Sequence, residues 1–439
     1  MHAPRRPAGS SPSPARLRVA RVAASGFFLV NGAVFANLLP RMPEIKDAFG
    51  LTDTAYGLLV IAFPIGSIAA GMAPAPLLRR FGSARVAGVG SVLLAALVAA
   101  AGAVGAVGGG AAMLLLYAVP IVLAGVLDAI VDTAQNAQAI YLQKTMGRSI
   151  LNSMHALWSL GAMVGGVMGS AAVGAGLALP LHLGVSGAVF SVLALVCQRF
   201  ALTPEEVRAV QRVQGRATPE PADDAPAVQA PSTEPSTTTG RLTSRNRAIG
   251  IVVLIGIIAI AGAMIEDLAM NWSTLMLARV LDAPASLAGM GLVAMMAAQF
   301  LGRLLGDRMT DRFGRVRMAK LGGTLSAVGL CVVALAPVPA VAVVGFAVAG
   351  FGCATLVPSA FHAADSVPGL RPGTGLTLAG WLLRAAFLCV SPFVGAVSDA
   401  VGLRLTILAV PLVALISVLI AGVLKDRDDD APQQAATTS

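Results

Sequence analysis

Charge is scarce in this chain. Of 439 residues only 12% are Asp, Glu, Lys or Arg, about half the roughly 25% of a soluble domain, so water is not the main solvent. Cysteine is scarce too: Cys197, Cys331, Cys353 and Cys389 all fall in apolar segments without CxxC spacing, which suggests neither a disulfide framework nor a zinc site. There is no HExxH, no GxSxG, no phosphate-binding loop and no soluble domain of useful length. A membrane enzyme or sensor is therefore disfavoured, and no metal or cofactor is expected. The first apolar run ends at Leu39-Pro40-Arg41 without an Ala-x-Ala site, so it reads as an uncleaved first helix.

What the chain does have is apolar length. Hydrophobic residues make up 56% and the mean hydropathy is +0.80. Glycine contributes 48 residues, well above a usual share of about 7%, and small residues let membrane helices approach closely. The pI near 10.1 raises nucleic acid as a partner. The basic residues, however, sit in short clusters between apolar runs, where membrane anchoring explains them, and no nucleic acid is expected.

A bilayer core of about 30 Å needs roughly 20 apolar residues per helix. Twelve such runs are separated by Gly, Pro and charge clusters: 19–39, 54–77, 84–107, 112–140, 150–173 and 178–198, then 248–276, 285–307, 317–337, 339–362, 374–397 and 403–424. The expected fold is an all-α integral membrane protein of 12 transmembrane helices in two six-helix bundles, 18–200 and 247–425. A Pro/Thr-rich linker at 201–246, a polar start at 1–17 and a tail at 426–439 are too polar to bury a core and are expected to be disordered.

Basic residues accumulate in cytoplasmic loops. With the N-terminus inside, 26 Lys and Arg fall in cytoplasmic segments, counting Arg303 and Arg308 with the loop after the eighth helix, while Arg41, Lys46, Arg279 and Arg404 fall outside. Both termini are expected to be cytoplasmic, and Arg384 is left within the eleventh helix.

The halves repeat one another. LLRRFGSARV at 77–86, with Arg80 and Gly82, echoes MTDRFGRVRM at 309–318, and Gly32-Ala33 aligns with Gly262-Ala263, as a duplicated six-helix unit would. On these features the chain resembles the major facilitator superfamily of secondary transporters. The second copy, Asp311-Arg312-Phe313-Gly314-Arg315, is similar to that family's DRxGR gating loop, which implies an Asp that caps or pairs across the cytoplasmic gate. In the first copy Arg79 takes the Asp position, so a lock in that half must use other partners. Asp132-Thr133-Ala134-Gln135-Asn136 and Leu151-Asn152-Ser153-Met154-His155-Ala156-Leu157-Trp158-Ser159-Leu160-Gly161 resemble the fucose-permease branch and its bacterial MosC and YbjJ relatives. The resemblance implies a proton-linked acid at Asp132 with its partner at Asn136, and substrate contacts at His155 and Trp158. The branch's helix-1 aspartate falls on Ala36.

Ionisable groups in a bilayer core cost at least about 2.5–3.5 kcal/mol each, so each is a functional candidate. Asp132 lies nine residues from Tyr141, or about 14 Å into the membrane, near the midplane where such sites lie. Asp128, Asp132 and Asn136 recur every fourth residue and share a helix face. Two carboxylates close together in a low dielectric rarely ionise together, so the pair is expected to hold and exchange a proton. Glu266 and Asp267 are adjacent and about 100° apart, so one at most faces the centre. The Gly-Ala alignment sets Glu266 opposite Ala36, and Glu266 is taken as the second charge of the site. Arg384 cannot discard its charge and needs Asp128, Glu266 or a substrate anion. His155 is placed to relay protons or meet a hydroxyl, Trp158 and Trp381 to stack on a sugar face, and Asn31 joins them as a polar candidate.

The expectation is a proton-coupled transporter of a small polar solute such as a sugar or cyclitol, monomeric, embedded in the lipid of a bacterial plasma membrane. The competing reading is a proton-driven exporter of a drug-like compound or metabolite. Against it, the fifth helix, GAMVGGVMGSAAVG, lacks the Gly-Pro of drug antiporters.

Overall fold

A computed structural model describes residues 12–147, 150–208, 238–367, 370 and 374–424. Among them there is no strand, eleven helices are long and apolar enough to cross a membrane, and a bent pair makes a twelfth. The first six spans are α1 (Pro14–Ala36), the broken α2 (Asp53–Val60, Ala62–Ala69 and Pro74–Phe81), α3 (Ser83–Val107), α4 (Ala111–Met146), α5 (Leu151–Gly174) and α6 (Leu179–Phe200). The second six are α7 (Thr238–Leu275), α8 (Met290–Phe313), α9 (Arg315–Leu335), the two-part α10 (Pro339–Cys353 and Leu356–Asp365), α11 (Thr374–Val401) and α12 (Leu403–Ile420).

The breaks have local causes. Pro64 lacks an N–H and crowds the preceding turn, so α2 interrupts at Ile61. It bends by 59° ahead of Pro74, where Gly71 takes a positive φ of 46°. Pro358 likewise follows the interruption at Ala354 and Thr355. Neither interruption shows in hydropathy, because the residues on both sides are apolar.

The segment expected as a linker is helical at both edges, over 204–208 and from Thr238 onward. Arg16, within the polar start, is ordered by an ion pair with Glu206 at 2.8 Å. Residues 1–11, 209–237 and 425–439, where disorder was expected, lie outside the described residues.

Duplication is visible in the backbone. Gly82 (φ 79°, ψ 149°) and Gly314 (φ 80°, ψ 154°) make the same turn into the next helix, a conformation glycine adopts without strain. In each copy an arginine lies over the adjacent phenylalanine ring, Arg80 on Phe81 at 5.2 Å and Arg312 on Phe313 at 5.6 Å.

Glycine also sets the α1–α5 distance. A Cβ on Gly32 would lie 2.1 Å from the Trp158 carbonyl oxygen, and one on Gly161 would lie 2.0 Å from that of Leu29. The two backbones therefore touch, as small-residue membrane interfaces allow, and Asn31 is brought beside Trp158.

The halves are tied at the end that carries residues 37–52. Asp399, at the end of α11, accepts the Asp53 and Thr54 backbone N–H groups of the α2 N-terminus at 2.9 and 2.8 Å. Ser398 donates to Asp53, and Arg279 pairs with Asp47. The Tyr56 hydroxyl donates to the Asn271 carbonyl at 2.6 Å, and its ring packs edge-on against Trp272.

Candidate functional site

Polar side chains line the inner faces of both halves and meet at Ser159 on α5. In the first half, Trp158 Nε1 donates to Asn31 Oδ1 at 2.9 Å, and Asn31 Nδ2 donates to Asp128 Oδ1 at 2.7 Å. One α4 turn along, Asp132 accepts from Asn136 Nδ2 at 2.9 Å and Gln135 Nε2 at 3.1 Å. His155 meets the Phe28 ring edge-on at 5.2 Å. Asn31, Asp128 and Trp158 are thus joined across α1, α4 and α5, His155 meets α1, and Asp132 and Asn136 pair one turn along α4.

In the second half, Glu266 on α7 accepts from Gln299 Nε2 at 2.9 Å and from Arg303 Nη2 at 3.4 Å. Arg303 then crosses to the first half: its Nη1 donates to Ser159 Oγ at 2.6 Å, and its guanidinium carbon stands 5.9 Å from the Trp158 ring centre. One cation therefore joins the carboxylate of α7, the hydroxyl of α5 and an indole whose N–H leads through Asn31 to Asp128. Arg303 and Glu266 are largely buried, with side chains 18% and 16% exposed, so their charges are only partly screened and the pair is stronger than a surface one.

Two expectations are corrected. Arg303 is not a loop anchor. It lies ten residues inside the end of α8, about 15 Å along the helix, so the count of loop charge loses one of its members. Arg384 is not joined to Asp128 or Glu266, since Asn31 holds the first and Arg303 the second. Among the described residues Arg384 forms no ion pair; it is exposed and stacks at 5.8 Å on Trp381, itself 58% exposed. Arg384 lies seven residues from Ser391 and so shares its face of α11, the face that meets α7 at Asp267.

The adjacent acids of α7 divide as the helical angle requires. Glu266 faces Arg303, whereas Asp267 is buried against α11, accepting from Ser391 Oγ at 2.6 Å and Asn271 Nδ2 at 2.9 Å. In the second gating turn Arg315 reaches His362 Nε2 of α10 at 3.0 Å, while Asp311 is exposed.

Gln299, Arg303 and Ser159 were missed. The available signal was a Gln and an Arg four residues apart inside an apolar run, on one helix face. An arginine near a run's end looks like an anchor unless the helix continues beyond it, as α8 does to Phe313.

Two six-span halves, a duplicated glycine turn and a polar interior shared between the halves define a polytopic membrane transporter. A sequence profile described as Major Facilitator Superfamily matches residues 252–439. Membrane protein MosC of Rhizobium meliloti is 26% identical over 408 residues, covering 91% of this chain and 88% of its own. Among solved structures, the D-xylose-proton symporter superposes with a TM-score of 0.66 at 15% identity, covering 93% of this chain and 97% of that one. The E. coli fucose:proton symporter FucP, in its outward conformation, gives 0.56 at 17%, covering 94% and 100%. At such identities the superpositions speak for the fold alone.

Proposed function

We propose that this protein is a proton-coupled secondary transporter that moves a small polar solute across a bacterial plasma membrane, as a monomer with both termini cytoplasmic. The supporting observation is the Glu266–Arg303–Ser159 link between the halves, with Trp158, Asn31 and Asp128 continuing it across the first half. Such an array offers donors and acceptors to a solute rich in hydroxyls and carboxylates that can hold a proton, inside a fold whose halves rock about a midplane site.

In this reading Asp132 carries the coupled proton, Asp128 and Glu266 tune it electrostatically, and Asn136, His155, Trp158 and Asn31 contact solute from the first half. Arg384 and Trp381 supply a cation and a stacking face from the second. The ties at residues 37–52 correspond to a form closed on the outer side. Entry of a solute hydroxyl between Arg303 and Ser159 would replace one interaction with another of the same kind, so the link can open without stranding a partly buried charge.

The test is transport by purified protein in proteoliposomes against a panel of sugars, cyclitols and apolar drug-like compounds, with an imposed pH gradient. Saturable uptake of a polar solute that the gradient accelerates is expected. Gradient-driven export of the apolar compounds alone would overturn the reading in favour of an exporter.

A further inference from the structure

A cavity of about 550 Å³ opens beside the α2–α3 turn, away from the interior site. Arg79, Arg80, Arg85 and Arg208 line it, and among the described residues no Asp or Glu does. Among the described residues none of these four guanidinium groups forms an ion pair, and the nearby Glu206 is taken by Arg16.

Four like charges around one cavity repel one another and gain from a shared anion. The guanidinium fork matches phosphate oxygens two at a time. The wall also includes the first residues of α3, a helix of 25 residues, whose positive dipole end favours negative charge.

The duplication sharpens the contrast. The Gly82 and Gly314 turns have one backbone geometry, yet Asp311 stands in the second where Arg79 stands in the first. Anchoring alone asks for positive charge in either turn and gives no reason for this exchange or for a walled cavity behind it. Tyr141 on the lining is of the type that marks the membrane–water boundary.

We propose that this cavity binds a phosphate ester: the headgroup of an anionic glycerophospholipid, or a soluble phosphate ester of the same chemistry. The four arginines hold the phosphate oxygens.

The test is native mass spectrometry of the purified full chain, titrated with phosphatidylglycerol and separately with phosphatidylcholine. Neither transport nor membrane orientation enters it. The parent is expected to prefer phosphatidylglycerol, and the exposed pair Arg85→Gln with Arg208→Gln to lower that preference at least about fivefold. The charge-matched pair Arg312→Gln with Arg317→Gln, on the other turn, is expected to leave it unchanged. No preference in the parent, or equal loss in both double variants, would overturn the site. Displacement of phosphatidylglycerol by millimolar glycerol 3-phosphate assigns the site to a soluble ester, and no displacement assigns it to the lipid.

Discussion

Arg303 shows how one side chain can decide the character of an interior. It joins Glu266 on its own half to Ser159 on the other and lies over Trp158. Arg303→Gln leaves Glu266 in a partly buried site without its cation, a loss of about 2 kcal/mol on the scale of charged hydrogen bonds. A lower thermal midpoint in detergent and loss of transport are expected. Arg303→Lys keeps the charge but not the fork that serves Ser159 and Glu266 together, so it is expected to recover most of the stability and little of the transport. Asp132 rests on amides of its own helix rather than on a cation, and the proposed function gives it the coupled proton. Asp132→Asn is therefore expected to retain solute exchange between equal pools while losing accumulation against a gradient. Accumulation equal to the parent's would remove Asp132 from the coupling role. The acids were legible in the sequence because charge in an apolar run is conspicuous. Arg303 was not, because the α8 helix runs ten residues past it through loop-like sequence.

At the scale of helices, the α1–α5 contact positions half of the candidate site. Its glycines stand where a methyl group would meet a carbonyl oxygen, so Gly161→Ala forces α1 away from α5 and is expected to cost about 1–3 kcal/mol. The shift also draws Asn31 from the Trp158 indole. The measurable signature is a lower thermal midpoint together with a weaker apparent affinity for solute, whereas unchanged affinity would show that α1 does not set the site. Twelve apolar runs and the two RFG turns were readable because length and glycine are local signals. The interruptions in α2 and α10 were not, since prolines within apolar sequence do not alter hydropathy. The cap that Asp399 places on the α2 N-terminus was not readable either, because its partners lie 345 or more residues apart.

For the whole molecule, the proposed function makes the ties near residues 37–52 a closed gate, built from backbone N–H groups, carboxylates and the Tyr56–Trp272 contact. Asp399→Ala frees the positive end of α2 and is expected to loosen that gate. In a background without the four native cysteines, a cysteine at Asn271 would then react several-fold faster with a membrane-impermeant maleimide. An unchanged rate would mean that the gate does not depend on Asp399. Alternating access requires that gate to open as the interior rearranges, and proton coupling requires that each cycle move a proton with its solute. The direct measurement is pH inside proteoliposomes on addition of a transported solute, with no imposed gradient. The account predicts a solute-dependent pH change of fixed stoichiometry, present in the parent and absent in Asp132→Asn. Solute flux without any pH change would contradict it.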